Sequence, residues 1–285
     1  MLEKYNRPVF FYSLALLIPW IMWLAAAYFS RLPESTEYFV LQGTLGIMGL
    51  IAPVAVAAYL FLSNKGLAAD LKGRSFKLTG YNPVCWLFAV LLIFTSIVIA
   101  QLISVLLGYS IQQFYISGHL TFKSALFSPW FILIFAPVVE ELAWHSYGTD
   151  ALRRKFNLFT TSVIFAVYWT IWHLPLSFIK GYYHSNVVAE GWVYSLNFIV
   201  SLFVFVILMN WLYYKSNRNL LITIIFHLSA NVSNEIFATH PMSKVIQTVL
   251  LLGVALIILV KEKSMFFDLH QKEIKSSFSS LQKKG

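Results

Sequence analysis

Apolar residues fall in blocks long enough to cross a bilayer along nearly the whole chain, separated by short polar connections. About 20 helical residues cross the hydrocarbon core. On that criterion eight spans are expected, at 8–29, 38–62, 83–107, 128–152, 158–178, 192–214, 220–237 and 245–260. Backbone polar groups in lipid must bond within their own segment, so each block reads as a helix. The expected fold class is therefore all-α: a polytopic integral membrane protein with about eight transmembrane helices surrounding an intramembrane polar cavity. No stretch is left for a separate soluble domain. Residues 1–262 are expected to form one transmembrane domain, with the polar motifs within about 128–238. The remainder, 263–285, reads as a cytoplasmic tail whose Met265, Phe266, Phe267, Leu269, Ile274, Phe278 and Leu281 alternate with charge, a pattern compatible with an amphipathic interfacial helix.

Composition agrees: 59% of residues are hydrophobic and 12% charged, against roughly 45–50% and 25% in a soluble domain. The net charge of +9 does not point to nucleic acid, because Lys and Arg are distributed between apolar blocks rather than gathered in a groove-sized patch. They mark topology instead. Lys4 and Arg7, then Lys65, Lys72, Arg74 and Lys77, then Arg153, Arg154 and Lys155, then Lys215 and Arg218, and finally the tail all lie on one side of the expected spans. Cytoplasmic loops are the ones enriched in these residues, so both termini are expected in the cytoplasm. The first block, about 22 residues, exceeds a signal-peptide core and is expected to be retained despite Ala25, Ala26 and Ala27 at its end. A single cysteine, Cys85, excludes an internal disulfide and a cysteine-based metal site within one chain.

The chemistry lies in the residues that interrupt the apolar pattern. An ionisable side chain near the bilayer centre costs roughly 2.5–3.5 kcal/mol on insertion scales and marks function by default. Three spans carry them: Glu140, Glu141 and His145 in the fourth, His173 in the fifth, and His227, Asn231 and Glu235 in the seventh. Residues four apart share a helix face, so Glu141 belongs with His145 and His227 with Asn231, whereas Glu140 turns elsewhere. Glu140 with His173 makes a water-activating pair, and His227 with Asn231 offers donors to an oxygen gaining charge in a transition state. Other hydrolase signatures are missing: there is no H-E-x-x-H or G-x-S-x-G, and the three aspartates, Asp70, Asp150 and Asp268, fall in loops, span ends or the tail. Glu235 is expected at the interface, and His119, His184, His240 and His270 in loops or the tail, without a role.

The runs Glu140-Glu141-Leu-Ala-Trp-His145, Trp169-Thr-Ile-Trp-His173 and His227-Leu-Ser-Ala-Asn231 resemble the three motifs of the CAAX-protease and bacteriocin-processing family of intramembrane proteases. The similarity covers about 100 residues, and the span count is similar to the Ras-converting CAAX endopeptidase branch, particularly its archaeal members. The resemblance implies an endopeptidase that removes the last three residues of a prenylated CAAX protein. It further implies that Glu140 and His173 activate water, that His227 and Asn231 form the oxyanion hole, and that Glu141 and His145 support them. Two positions depart from the pattern: His145 stands where the first motif usually has Arg, and Trp169 where the second usually has Phe. Two His and a Glu are also a possible Zn²⁺ set; the resemblance favours a metal-free mechanism with no cofactor. The expected partners are a prenylated protein or peptide and the lipid bilayer, with the protein itself a monomer. Competing readings are a bacteriocin-type leader or self-immunity protease of the same family, a non-catalytic scaffold retaining its fold, and a proton-coupled transporter or channel using the same Glu and His as a relay.

Overall fold

A computed structural model describes residues 2–74, 82–118, 120–124 and 126–269. Helices stand at all eight expected positions: α1 (Pro8–Phe29), α2 (Thr36–Leu62), α4 (Pro83–Leu106), α5 (Pro129–Ala143) continuing into α6 (Thr149–Arg153), α7 (Leu158–His173), α9 (Trp192–Lys215), α10 (Leu220–Glu235) and α11 (Pro241–Lys261). Shorter helices α3 (Lys65–Arg74), α8 (Tyr183–Glu190) and α12 (Lys263–Phe267) lie between or after them. The chain is a polytopic all-α membrane protein. Among the described residues six segments are long and apolar enough to cross a membrane by themselves, α7 counting with its extension to Phe178. The two remaining segments are shorter as regular helices, 15 residues in α5 and 16 in α10, and carry the acids and two of the motif histidines. Most of the expected tail lies outside the described residues; its first part forms α12, with Phe266 buried.

Local sequence explains where the helices begin. Ser35, Asn82, Ser128, Asn157 and Asn219 each cap a helix by accepting a hydrogen bond from a backbone N–H of its first turn, and Pro83 and Pro129 occupy first helical positions. Each such cap contributes about 1 kcal/mol. With lipid on the outside, helix association depends on close packing rather than on escape from water. Between α1 and α2 that closeness comes from glycine. Trp23 donates its indole N–H to the Gly46 carbonyl at 3.0 Å, and a Cβ on Gly49 would sit 2.3 Å from that indole nitrogen.

The fourth expected span is not one regular helix. After Ala143 it widens into a π turn, Trp144–Gly148, before α6 resumes. A π turn displaces backbone carbonyls from their usual partners, and two are taken up from outside: Tyr213 Oη donates to the His145 carbonyl at 2.6 Å and Arg74 Nη2 to that of Ser146 at 2.7 Å. The fifth span also changes geometry, ending as an α-helix at His173 and running on as a 3₁₀ turn, Leu174–Phe178, because Pro175 cannot supply an N–H.

The groups that hold the π turn belong to a buried charge network at the basic end of the bundle. Asp150 is fully buried and accepts from Tyr214 at 2.9 Å and from Arg218 Nη2 at 2.5 Å, while Tyr213 Oη lies 2.9 Å and Arg74 3.1 Å away. Asp70 completes it, bonded to Tyr5, Arg74 and Arg218. Two acids and two arginines balance, so residues expected only as loop or span-end charges form a neutral internal cluster. Burial alone would raise the Asp70 carboxyl; hydrogen bonds from Tyr5 and Arg218, together with the Arg218 charge, override it and hold it at about 2. An unfolded Asp titrates near 3.9. A group lowered on folding stabilises the fold above its unfolded value and loses that contribution as pH falls through its folded value. Thermal unfolding in detergent is therefore expected to show a midpoint that drops between about pH 4 and pH 2, with a shallower drop for Asp70→Asn.

Candidate active site

Three helices, α5, α7 and α10, bring the motif residues to one cavity of about 530 Å³, lined by Glu140, Trp169, His173, His227 and Asn231 and walled on another side by Phe198 and Phe205 of α9. Glu140, Glu141, His145, His173 and His227 are all buried. The face assignments read from spacing hold. Glu140 turns into the cavity and accepts from the Trp169 indole N–H at 3.1 Å. Glu141 turns the other way, with Oε1 2.8 Å from His227 Nδ1 and Oε2 hydrogen-bonded to His145 Nδ1.

Hydrogen bonding fixes the imidazole chemistry. His173 Nδ1 lies 2.7 Å from the Trp169 carbonyl, which can only accept, so Nδ1 carries the proton and a neutral ring leaves Nε2 as an acceptor. Trp169 thus holds both partners of the expected pair, Glu140 by its indole and His173 by its backbone. Among the described residues no direct Glu140–His173 hydrogen bond exists; both side chains line the same cavity. His227 Nδ1–H is likewise held by the Glu141 carboxylate; a further proton on Nε2 would turn that edge into a donor, with Glu141 supplying the compensating charge.

Asn231 has a different origin for its position. Pro137, inside α5, has no N–H to give to the carbonyl four residues earlier, that of Leu133. The Asn231 amide donates to this freed carbonyl at 3.3 Å. His145 occupies the family's arginine position and still meets Glu141, but it needs a further partner. Its Nε2 lies 3.0 Å from Asn210 Oδ1, and Asn210 Nδ2 donates to Ser162 Oγ at 2.8 Å. Asn210 was not singled out from the sequence, although an amide within an apolar span is itself a signal. His145→Leu and Asn210→Leu are each expected to lower kcat about 10- to 100-fold, the rate equivalent of losing one hydrogen bond to a charged group. Because the two act through one chain of bonds, the double variant should lose little more than either; additive losses in the cleavage assay would separate their roles.

One expectation needs correction. His184 is not an idle loop residue: it lies on α8 and stacks on His173 with ring centroids 4.8 Å apart, inside the cavity lining. Glu235, the last residue of α10, is only 4% exposed and bonded to the Thr121 N–H at 2.8 Å and its hydroxyl at 2.9 Å. The Glu235 contact joins segments far apart in sequence. Among the described residues, no three His, Cys, Asp or Glu side chains are grouped to hold a metal ion.

The family model for type II CAAX prenyl endopeptidases, Rce1-like, matches residues 122–233, the segment that contains all six motif residues. A relative, CAAX prenyl protease 2 of Methanococcus maripaludis, is 32% identical over 271 residues, covering 93% of this chain and 97% of that protein. The chain belongs to the Rce1-like CAAX prenyl endopeptidase family. It is accordingly a membrane peptidase of the CAAX endopeptidase type, as the three motifs implied.

Proposed function

We propose that this Rce1-like protein cuts prenylated CAAX chains just after the lipidated cysteine, releasing the C-terminal tripeptide, with Glu140 and His173 activating the water. The observation that carries this reading is the meeting of buried side chains from α5, α7 and α10 in one cavity. Glu140 takes a proton from water as its oxygen bonds to the scissile carbonyl carbon, and His173 Nε2 accepts the water's second hydrogen bond and orients it. The carbonyl oxygen becomes an anion facing His227 and Asn231. As the carbon–nitrogen bond breaks, Glu140 returns the proton to the leaving amine. No step calls for a metal, and the donors present suit a metal-free reaction in a monomer.

Orientation follows from two observations that pull apart. The basic ends of the helices support termini in the cytoplasm. The exposed residues of the cavity lining, Thr121, Lys123, Asn186 and Glu190, lie at the opposite ends of the helices. Prenylated substrates arrive from the cytoplasm, so the cavity's opening favours the inverted orientation. In a Cys85→Ala background, a membrane-impermeant maleimide applied to intact cells should label Glu190→Cys if the termini are cytoplasmic, and Lys72→Cys if they are not.

The reaction itself is tested with purified protein in liposomes and a farnesylated CAAX peptide. Release of the intact tripeptide is the expected product. Proton flux without cleavage would favour the channel reading, and cleavage of an unprenylated leader peptide in preference would favour the bacteriocin-processing one.

A further inference from the structure

A tripeptide product carries a free carboxylate, and bringing that charge into a cavity of low dielectric needs a cation to receive it. Two lysines line the cavity, Lys123 from the connection before α5 and Lys244 from the start of α11. Among the described residues no carboxylate lies within ion-pair distance of either. The buried acid on this side, Glu235, is already bonded to Thr121. Lys244 is also poorly placed for its own helix, since the first turn favours acids over cations. A residue that conflicts with its local setting points to a use elsewhere.

The position of Lys244 relative to the motif residues is set by a short series of ring contacts. Its Nζ lies 5.4 Å from the Tyr183 ring centre, Tyr183 lies 5.5 Å from His184, and His184 stacks on His173 at 4.8 Å. Three extended residues span at most roughly 11 Å, and Lys244 lines the same cavity as His173 with only the Tyr183 and His184 rings between them in this series. We infer that Lys244, assisted by Lys123, binds the free C-terminal carboxylate of the substrate and thereby restricts cleavage to a bond three residues from a chain end. This rests on the cleavage reading above and adds to it what measures the length of the product.

The test uses two farnesylated CAAX peptides that differ only in ending as a free acid or as an amide. A charge-assisted contact predicts that the wild-type protein prefers the acid by roughly ten- to a hundredfold in kcat/KM, mostly through KM. Lys244→Gln should bring the acid-to-amide ratio close to one, Lys123→Gln should reduce it less, and Lys244→Arg should keep most of it. Because each ratio is taken on one preparation, a partly misfolded variant does not alter it. Lys180→Gln, at an exposed position beside Glu34, is the control and should leave the ratio intact. Equal cleavage of acid and amide by the wild type, or a ratio preserved in Lys244→Gln, would overturn the inference. Full activity of Glu140→Gln would instead overturn the water-activation reading, and the acid-to-amide ratio would still judge the lysines.

Discussion

Replacing Glu140 by Gln is expected to lower kcat for a farnesylated CAAX peptide about 10³- to 10⁴-fold while leaving KM nearly unchanged. Glutamine matches the shape of glutamate and can still accept the Trp169 indole N–H, so the cavity wall stays in place. What it cannot do is take a proton from water or return one to the leaving amine. General acid–base assistance contributes typically 10²- to 10⁴-fold, and one side chain serving both halves of the reaction should fall in the upper part of that range. Thermal unfolding of the same preparation should stay within a few degrees of wild type, since no paired charge is broken. A residual rate within tenfold of the native one would mean that another group activates the water.

The largest expected effect on stability lies at the other end of the bundle, in Asp150→Ala. That carboxylate is fully buried and is the shared partner of Arg74, Arg218, Tyr213 and Tyr214. Removing one side of a buried ion pair costs about 3–5 kcal/mol, because the remaining charge is left without compensation. Asp70 still contacts both arginines and keeps the loss towards the lower figure. Activity per folded molecule should fall as well, since Tyr213 and Arg74 hold the carbonyls of His145 and Ser146 directly below the Glu141–His145 contact. Thermal unfolding in detergent, paired with kcat on the folded fraction, checks both statements; a midpoint equal to wild type would show that the network does not support the fold.

What could be read from the residues alone was whatever depends on short-range periodicity. The apolar block 8–29 matches α1 end to end, and the four-residue spacing placed Glu141 with His145 and turned Glu140 away from them. The three motifs likewise led to the family. Long-range packing was not legible. His184 sits in a short helix with no apolar repeat to announce it, and only the folding of α8 onto the end of α7 brings it against His173. Asp70 and Asp150 are 80 positions apart and look like ordinary flanking charges until α3 docks beneath α6. The π turn was hidden for a related reason, as its displaced carbonyls are satisfied by Arg74 and Tyr213 from distant segments.

Pro137 carries a consequence for how Asn231 is aimed. One of the two N–H groups of its amide is held by the Leu133 carbonyl that the proline frees. The other is left for an oxygen in the cavity, and in the proposed reaction that oxygen is the one that turns anionic. A proline three residues before Glu140 thus orients an asparagine on a different helix, and its replacement by Ala is expected to show in turnover while leaving affinity alone.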